Sequence, residues 1–437
     1  PVFNAARTGV PLASDQTENC WHGLVSMKKE QENHDPRRIL YVENGIGYGG
    51  AVICLRHLVR NLDRMRFDPL VITGRTGSEY EDIAADSRWK HIPDRRIDVV
   101  GMKRRIGKST WVRHIPGLHF IVNQLLSRLD DIGNFLPHFL QLLWTAIRFR
   151  PVLIHANNEP LCNRAAIFTG KILRVPVVCH VRGDLGPTEG GSRMLRWLYR
   201  LPDHFIPVSH WISEGMAGIG VPAEKRTVVY DGIGLGDMDI DADGQKFRRE
   251  YGIPDNALAV GLVGLLIPWK GQDLFLDAAC RLAGEIPGLK MVIVGGTPEE
   301  CGPYEERLRA RVRQEGLTDI VIFTGHVSEM PVVYNGLDVV ISASTTPEPL
   351  GTVVIECMAM ARPLVAPSHG GAAEMCEHDE TALLFIPKDS DSLADAIRRL
   401  YREEGLGKRI GMAARNKALA TFAVDDHVLR VTKAVSY

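Results

Sequence analysis

The chain has no excess charge with which to choose its partners: 52 Lys and Arg face 53 Asp and Glu over 437 residues, a formal balance of -1. No whole-chain field draws in nucleic acid or an anionic membrane, so a charged partner has to meet a local patch. A bilayer-crossing run is also missing. The longest uncharged stretch, Ile132 to Ile147, is broken by Asn134, Pro137 and His138 and falls short of the roughly 20 residues that a span needs. The eight cysteines are scattered without CxxC or Cys/His metal spacing, and they read as reduced thiols of a cytoplasmic protein. With 42 Gly, 25 Pro and 45% apolar residues, the composition excludes fibres and wholesale disorder. What remains is a globular chain long enough for two or three domains.

Short β-branched runs alternate with amphipathic stretches along nearly the whole length, the pattern of parallel sheets built from βαβ units. The first half offers strands at Arg38–Glu43, Leu70–Thr73, Val152–His155, Val175–His180, His204–Ser209 and Thr227–Tyr230. The second half repeats the pattern at Leu258–Gly264, Lys290–Gly295, Ile320–Thr324, Asp338–Ser342, Pro363–Ala366 and Ala382–Ile386. The fold class is therefore α/β, with two Rossmann-like domains in tandem and a site between them. Residues 1–35 read as a polar leader, 36–230 as the first domain, 231–415 as the second, and 416–437 as a last helix packing back on the first. The Gly- and Asp-rich run from Asp231 to Gly244 is the linker. Leu393, Ala396, Ile397 and Leu400 mark one ordinary packing helix.

Two tempting motifs fail on inspection. Gly101 and Gly107 enclose five residues where a phosphate loop has four. Asp239, Asp241, Asp243, Gly244 and Glu250 match a calcium loop by letter, but the flanks are not helical and an acidic linker capping the next helix fits better. No metal is expected.

Other motifs sit where chemistry needs them. Gly45-Ile46-Gly47-Tyr48-Gly49-Gly50 follows a strand and opens a helix from Ala51 to Leu62, so its backbone N–H groups suit a phosphate. A dinucleotide fold also wants an acid at the end of the second strand, whereas this chain has Gly74 and Arg75; Arg75 would suit only a 2′-phosphate. Glu348 lies in a loop and Glu356 about two turns into the next helix, with Pro349 fit for the first turn. Between them, Gly351 and Thr352 offer N–H groups at the helix N-terminus. The layout suits a diphosphate held between two sets of sugar hydroxyls. Lys270, in Trp269-Lys270-Gly271, would place a point charge on that diphosphate. His180 stands near a strand's carboxyl end, where open α/β sheets bind ligands, and His369-Gly370-Gly371 turns at the same edge of the second sheet.

Taken in order, these motifs resemble those of the group-1 retaining glycosyltransferases with a GT-B fold, over most of Arg38 to Tyr437. The resemblance implies a hexosyl unit moved from a UDP- or GDP-sugar to an acceptor hydroxyl with retention, in polysaccharide, lipopolysaccharide or glycolipid synthesis. It implies no cofactor and no metal beyond the nucleotide sugar itself. It gives Glu348 and His180 to the reacting sugar, Glu356 to the ribose, and Lys270, Gly351 and Thr352 to the diphosphate, with Gly49 and Gly50 as the glycine loop. The family's usual Arg after the glycine is Leu265 here, so either Arg182 or the Gly50 helix end compensates or activity is weak. Two rivals stay open: an NADP-linked oxidoreductase using Gly45–Gly50 and Arg75, and a catalytically silent relative acting as a binding scaffold. The basic stretch Lys90–Arg113, with the amphipathic run after it, reads as a solvated loop and core helix or as a peripheral contact with an anionic membrane or acceptor.

Overall fold

A computed structural model describes residues 35–45, 50–108, 117–183 and 193–434. The first half forms a parallel sheet of six strands in the order β3-β2-β1-β4-β5-β6. Its elements are β1 (Arg37–Glu43), α1 (Gly50–Arg60), β2 (Phe67–Thr73), β3 (Arg88–His91), α2 (Val99–Lys108), α3 (Leu118–Asp130), α4 (Leu136–Phe149), β4 (Leu153–Asn157), α5 (Arg164–Leu173), β5 (Val177–Val181), α6 (Arg193–Leu198), β6 (His204–Pro207) and α7 (His210–Gly218). The second half is a second six-stranded parallel sheet, ordered β12-β11-β10-β7-β8-β9. It comprises α8 (Gly244–Glu250), β7 (Ala259–Val263), α9 (Gln272–Leu282), β8 (Lys290–Val294), α10 (Gly302–Gln314), β9 (Val321–Gly325), α11 (Met330–Gly336), β10 (Val339–Ile341), α12 (Thr352–Ala359), β11 (Leu364–Pro367), α13 (Gly370–Met375), β12 (Leu383–Phe385), α14 (Ser390–Arg402), α15 (Leu406–Thr421) and α16 (Val424–Ala434).

Strands buried on both faces read as largely apolar runs, which is why β4, β5 and β7 were legible: all five residues of each are buried, His155, Asn157 and His180 among them. One strand was missed and one expectation fails. Arg88–His91 is an edge strand of alternating exposure with no apolar run to announce it. Thr227–Tyr230 is no strand, although Thr227 N donates to Phe205 O at 3.0 Å and Val229 N to Pro207 O at 3.1 Å. It is connecting backbone laid against β6 on its way to the second domain.

The chain passes between the domains twice, and the two passages lie side by side. Ile233 N donates to Phe422 O at 3.0 Å, and Val424 N to Ile233 O at 3.2 Å. Gly232 is required there, since a Cβ would stand 2.7 Å from that of His427 and 2.8 Å from Val424 Cα. Beyond the second passage, Val428 and Val431 of α16 share a core with Val52 and Leu55 of α1. Asp243, the last acid of the calcium-like run, accepts from Gln245 N at 3.0 Å and caps α8.

Candidate functional site

The α1 and α12 helices belong to different sheets, yet their N-termini meet. A Cβ built on Gly50 would lie 3.6 Å from Thr352 Cγ2, an ordinary contact across the seam between the domains. Neither helix has an acid in its first turn, so both N-termini keep the partial positive charge of a helix start. Gly49 and residues 46–48 of the glycine motif lie outside the described residues.

Lys270 and Glu348 stand at the same place. Lys270 Nζ donates to Glu348 Oε1 at 2.8 Å, with 18% and 13% of the two side chains exposed. Ser344 Oγ donates to the same carboxylate oxygen. The ammonium also sits 4.7 Å from the centre of the Trp269 ring. Backbone constraints aim this lysine: Gly271 holds φ +81°, and a Cβ on it would come 1.9 Å from Ala343 O. Gly351 caps α12 at φ +86°, and its absent Cβ leaves 3.5 Å to Glu348 Oε2. The helix starts at Thr352, so Pro349 precedes the first turn and does not form it, contrary to expectation. Gly370 and Gly371 also differ from their sequence reading. They let α13 press on the Glu348 loop, with Gly371 N donating to Glu348 O at 2.8 Å, so the close approach is to backbone.

Glu356 lies deeper, where Tyr334 donates its hydroxyl hydrogen to Oε2 at 2.7 Å. Burial pushes its carboxyl above the ordinary range, and the tyrosine bond opposes that shift. Glu348 and Glu356 are thus separate acids on either side of one helix start, not a pair flanking one bond.

His180 is not brought to this cluster. It is fully buried, its ring 5.4 Å from that of His155 and 5.8 Å from that of His427, with Nε2 3.8 Å from Asp231 Oδ1. Arg182 is committed as well: its Nε and Nη2 donate to Asp231 at 2.8 to 3.1 Å and its Nη1 to Asn157 Oδ1. Burial works to raise the Asp231 pKa, but the guanidinium wins and holds the carboxyl below its usual range. Arg182 therefore secures the first interdomain passage, and of the two proposed substitutes for the missing arginine only the Gly50 helix end faces α12. Leu265 itself is about half exposed.

Sequence reasoning passed over two features. Glu43, at the end of β1, accepts from Gly45 N and Asn158 Nδ2, each at 2.6 Å, and from Asn157 Nδ2. Burial pushes its carboxyl up to about 7 against those donors. The signal was a glutamate closing an apolar strand just before the glycines. The second is Glu374 of α13, which reaches across the seam to accept from His210 N at 2.8 Å, Trp211 N at 3.1 Å and Tyr230 OH at 2.7 Å. A carboxylate at the N-terminus of α7 is favoured by the helix dipole. Its letters lay in the His369–Glu374 turn, without a cue to its partners.

Comparison with known proteins decides the family. The family model "Glycosyl transferases group 1" matches residues 243–417, and "Glycosyl transferase 4-like domain" matches residues 49–232. The chain belongs to the group-1 glycosyltransferases. It is 29% identical over 227 residues to an uncharacterized glycosyltransferase of Methanocaldococcus jannaschii, covering 51% of this chain and 56% of that protein. It is 32% identical over 188 residues to a GDP-mannose-dependent alpha-(1-6)-phosphatidylinositol monomannoside mannosyltransferase of Mycobacterium tuberculosis, covering 41% and 47%. The chain thus spans about half the length of the curated relatives it matches. Among solved structures, Anabaena HepE in complex with UDP and glucose superposes with a TM-score of 0.75 at 23% identity, covering 91% of this chain and 99% of that one. A sucrose-phosphate synthase of Thermosynechococcus elongatus gives 0.69 at 18% identity, covering 92% and 98%. The two-domain α/β fold of this group-1 chain is that of these solved structures.

Proposed function

We propose that the protein transfers a hexosyl unit from a UDP- or GDP-sugar to an acceptor hydroxyl, with retention at the anomeric carbon. The observation that carries this reading is the meeting of two helix N-termini from different domains beside Lys270 and Glu348. A diphosphate seated there gains N–H donors from α1 and α12 and one ammonium, enough cationic character to stabilise the leaving group without a metal. Glu348 then faces the sugar and Glu356 the ribose. The anomeric C–O bond to phosphate breaks, the acceptor oxygen bonds to the same carbon, and the acceptor proton passes to the leaving phosphate oxygen, releasing UDP or GDP. Retention follows from attack on the face the phosphate leaves.

The choice of nucleotide draws on two neighbours that point different ways, one described with GDP-mannose and one bound to UDP and glucose. The acceptor class we favour is a growing polysaccharide or a lipid-linked sugar. The NADP reading loses its anchor, because Arg75 Nε faces Asp94 Oδ1 at 3.4 Å. The scaffold reading retains one observation, the leucine at 265. Thermal shift across nucleotide sugars, followed by UDP or GDP release with candidate acceptors, tests the proposal. A donor that raises the melting temperature and is turned over supports it; NADPH protection in place of nucleotide-sugar protection rejects it, and tight donor binding without release favours the scaffold.

A further inference from the structure

The first domain carries an apolar surface that no described residue covers. From α3 through a π-helical turn at Asp131–Phe135 into α4, one long helical run points large apolar side chains outward at helical spacing. Phe120 is 67% exposed, Leu125 64%, Ile132 66% and Trp144 55%. None of the residues of α3 is fully buried. An aromatic chain carries the surface further: Phe135 meets Phe168 of α5 at 6.1 Å, and Phe168 meets Trp197 of α6 at 6.2 Å. On α6, Met194 and Trp197 are exposed together with Arg193, Arg196 and Arg200. A contiguous face of this kind is far more than the scattered exposed leucine of an ordinary surface.

Its border is cationic. Arg104 and Arg105 of α2 are exposed beside α3, to which Lys103 is tied by a 3.0 Å bond to Ser127 Oγ. The Arg148 guanidinium lies 4.5 Å from the centre of the Trp144 ring, an aromatic body with a charged rim. The acids of the same layer are turned inward or spent: Asp98 accepts from Gly101 N, Asp130 from Asn134 Nδ2, and Asp131 pairs with Arg128 and Arg164. A second copy of the chain would set this cationic rim against itself, since a two-fold contact is self-complementary.

We propose that the outer face of α3, α4 and α6 docks on an anionic lipid bilayer, its apolar side chains entering the headgroup region and its arginines meeting lipid phosphates. The locus differs from the basic stretch Lys90–Arg113. Lys90 spends its ammonium on Thr145 Oγ1 at 2.9 Å, and residues 109–113 lie outside the described residues. The same helix reaches the candidate site. On the inner side of α4, His138 Nδ1 bonds Ile92 O at 3.0 Å and Nε2 bonds Asn44 Nδ2 at 3.0 Å, one residue beyond Glu43 and one before Gly45. Docking would therefore hold the glycine edge of the cleft near the membrane surface, where a lipid-linked hydroxyl is presented; this last step rests on the transferase reading.

The test is co-sedimentation of the full chain with vesicles of phosphatidylcholine, with and without phosphatidylglycerol. The expected result is pelleting with the anionic vesicles and about tenfold or more weaker partition to pure phosphatidylcholine or at high salt. Ile132→Glu with Leu140→Glu should lower anionic partition about tenfold or more while leaving the melting temperature and its nucleotide-sugar shift as in the parent chain. Wild-type protein left in the supernatant, or pelleting untouched by the double variant, overturns the proposal. So does a dimer in analytical ultracentrifugation that the same variant dissociates, which would assign the face to a second copy. Vesicle binding uses no sugar, so its failure is separable from failure of the transferase reading.

Discussion

At the scale of single residues, the site is a balance between one ammonium and separately placed acids. Lys270→Met should lower turnover by roughly two to three orders of magnitude, as loss of a group stabilising the leaving charge does elsewhere. Glu348→Ala should abolish transfer, whereas Glu356→Ala should chiefly weaken donor binding by about tenfold. Steady-state kinetics on each variant separates the two, and near-normal turnover in Glu348→Ala rejects the assignment. His155 gives a prediction of another kind. It is fully buried between Tyr41 and His180, neither ring nitrogen has a hydrogen-bond partner among the described residues, and burial pushes its pKa down to about 3. The folded protein thus binds fewer protons here than the unfolded chain below the ordinary value of 6.5, so this residue's contribution is intact above that pH and lost as pH falls toward 3. The slope is about 1.4 kcal/mol per pH unit. His155→Phe should remove that share, and urea unfolding at pH 7 and pH 5 in the two proteins measures it.

At the scale of elements, much of the fold was readable because a parallel sheet writes its strands as apolar runs. β3 escaped because Arg88, Trp89, Lys90 and His91 carry no such run, and Thr227–Tyr230 deceived because backbone laid against β6 has a strand's composition without a strand's ladder. Lys270, Glu348 and Gly351 stood out in the sequence by type and order, and the structure brings them together. The full burial of His180 was not legible, because nearness to a strand's end says nothing about burial, and the returning α16 brings His427 over it. Glycines carry the local precision. Gly271→Ala would combine a positive φ with a 1.9 Å clash, and should cost about 2–4 kcal/mol or drag Lys270 from its place. A fall in melting temperature together with a lost donor shift is the expected observation. Gly50→Ala, with 3.6 Å to spare, should be nearly neutral in stability.

At the scale of the whole molecule, Glu374 is a bond between halves that are otherwise separate sheets. It satisfies two backbone donors of α7 and the Tyr230 hydroxyl, and charge-assisted bonds of this kind contribute about 1.5–3 kcal/mol each. Glu374→Ala should loosen the domains, splitting a single calorimetric transition into two and raising the radius of gyration in solution scattering. One unsplit transition with unchanged dimensions would count against the clasp. No helix among the described residues is long and apolar enough to cross a membrane.

The paired passages through Ile233 and Ala423 limit how the halves can move. Two backbones joined by one bridge of two hydrogen bonds act like a pinned hinge: they fold about one line more readily than they slide past each other. If the halves open to admit a donor, a pivot there would favour one arc and would return Gly50 to Thr352 in the same alignment. A protease nick in either passage would leave the other still joining the halves, and would free them to swivel.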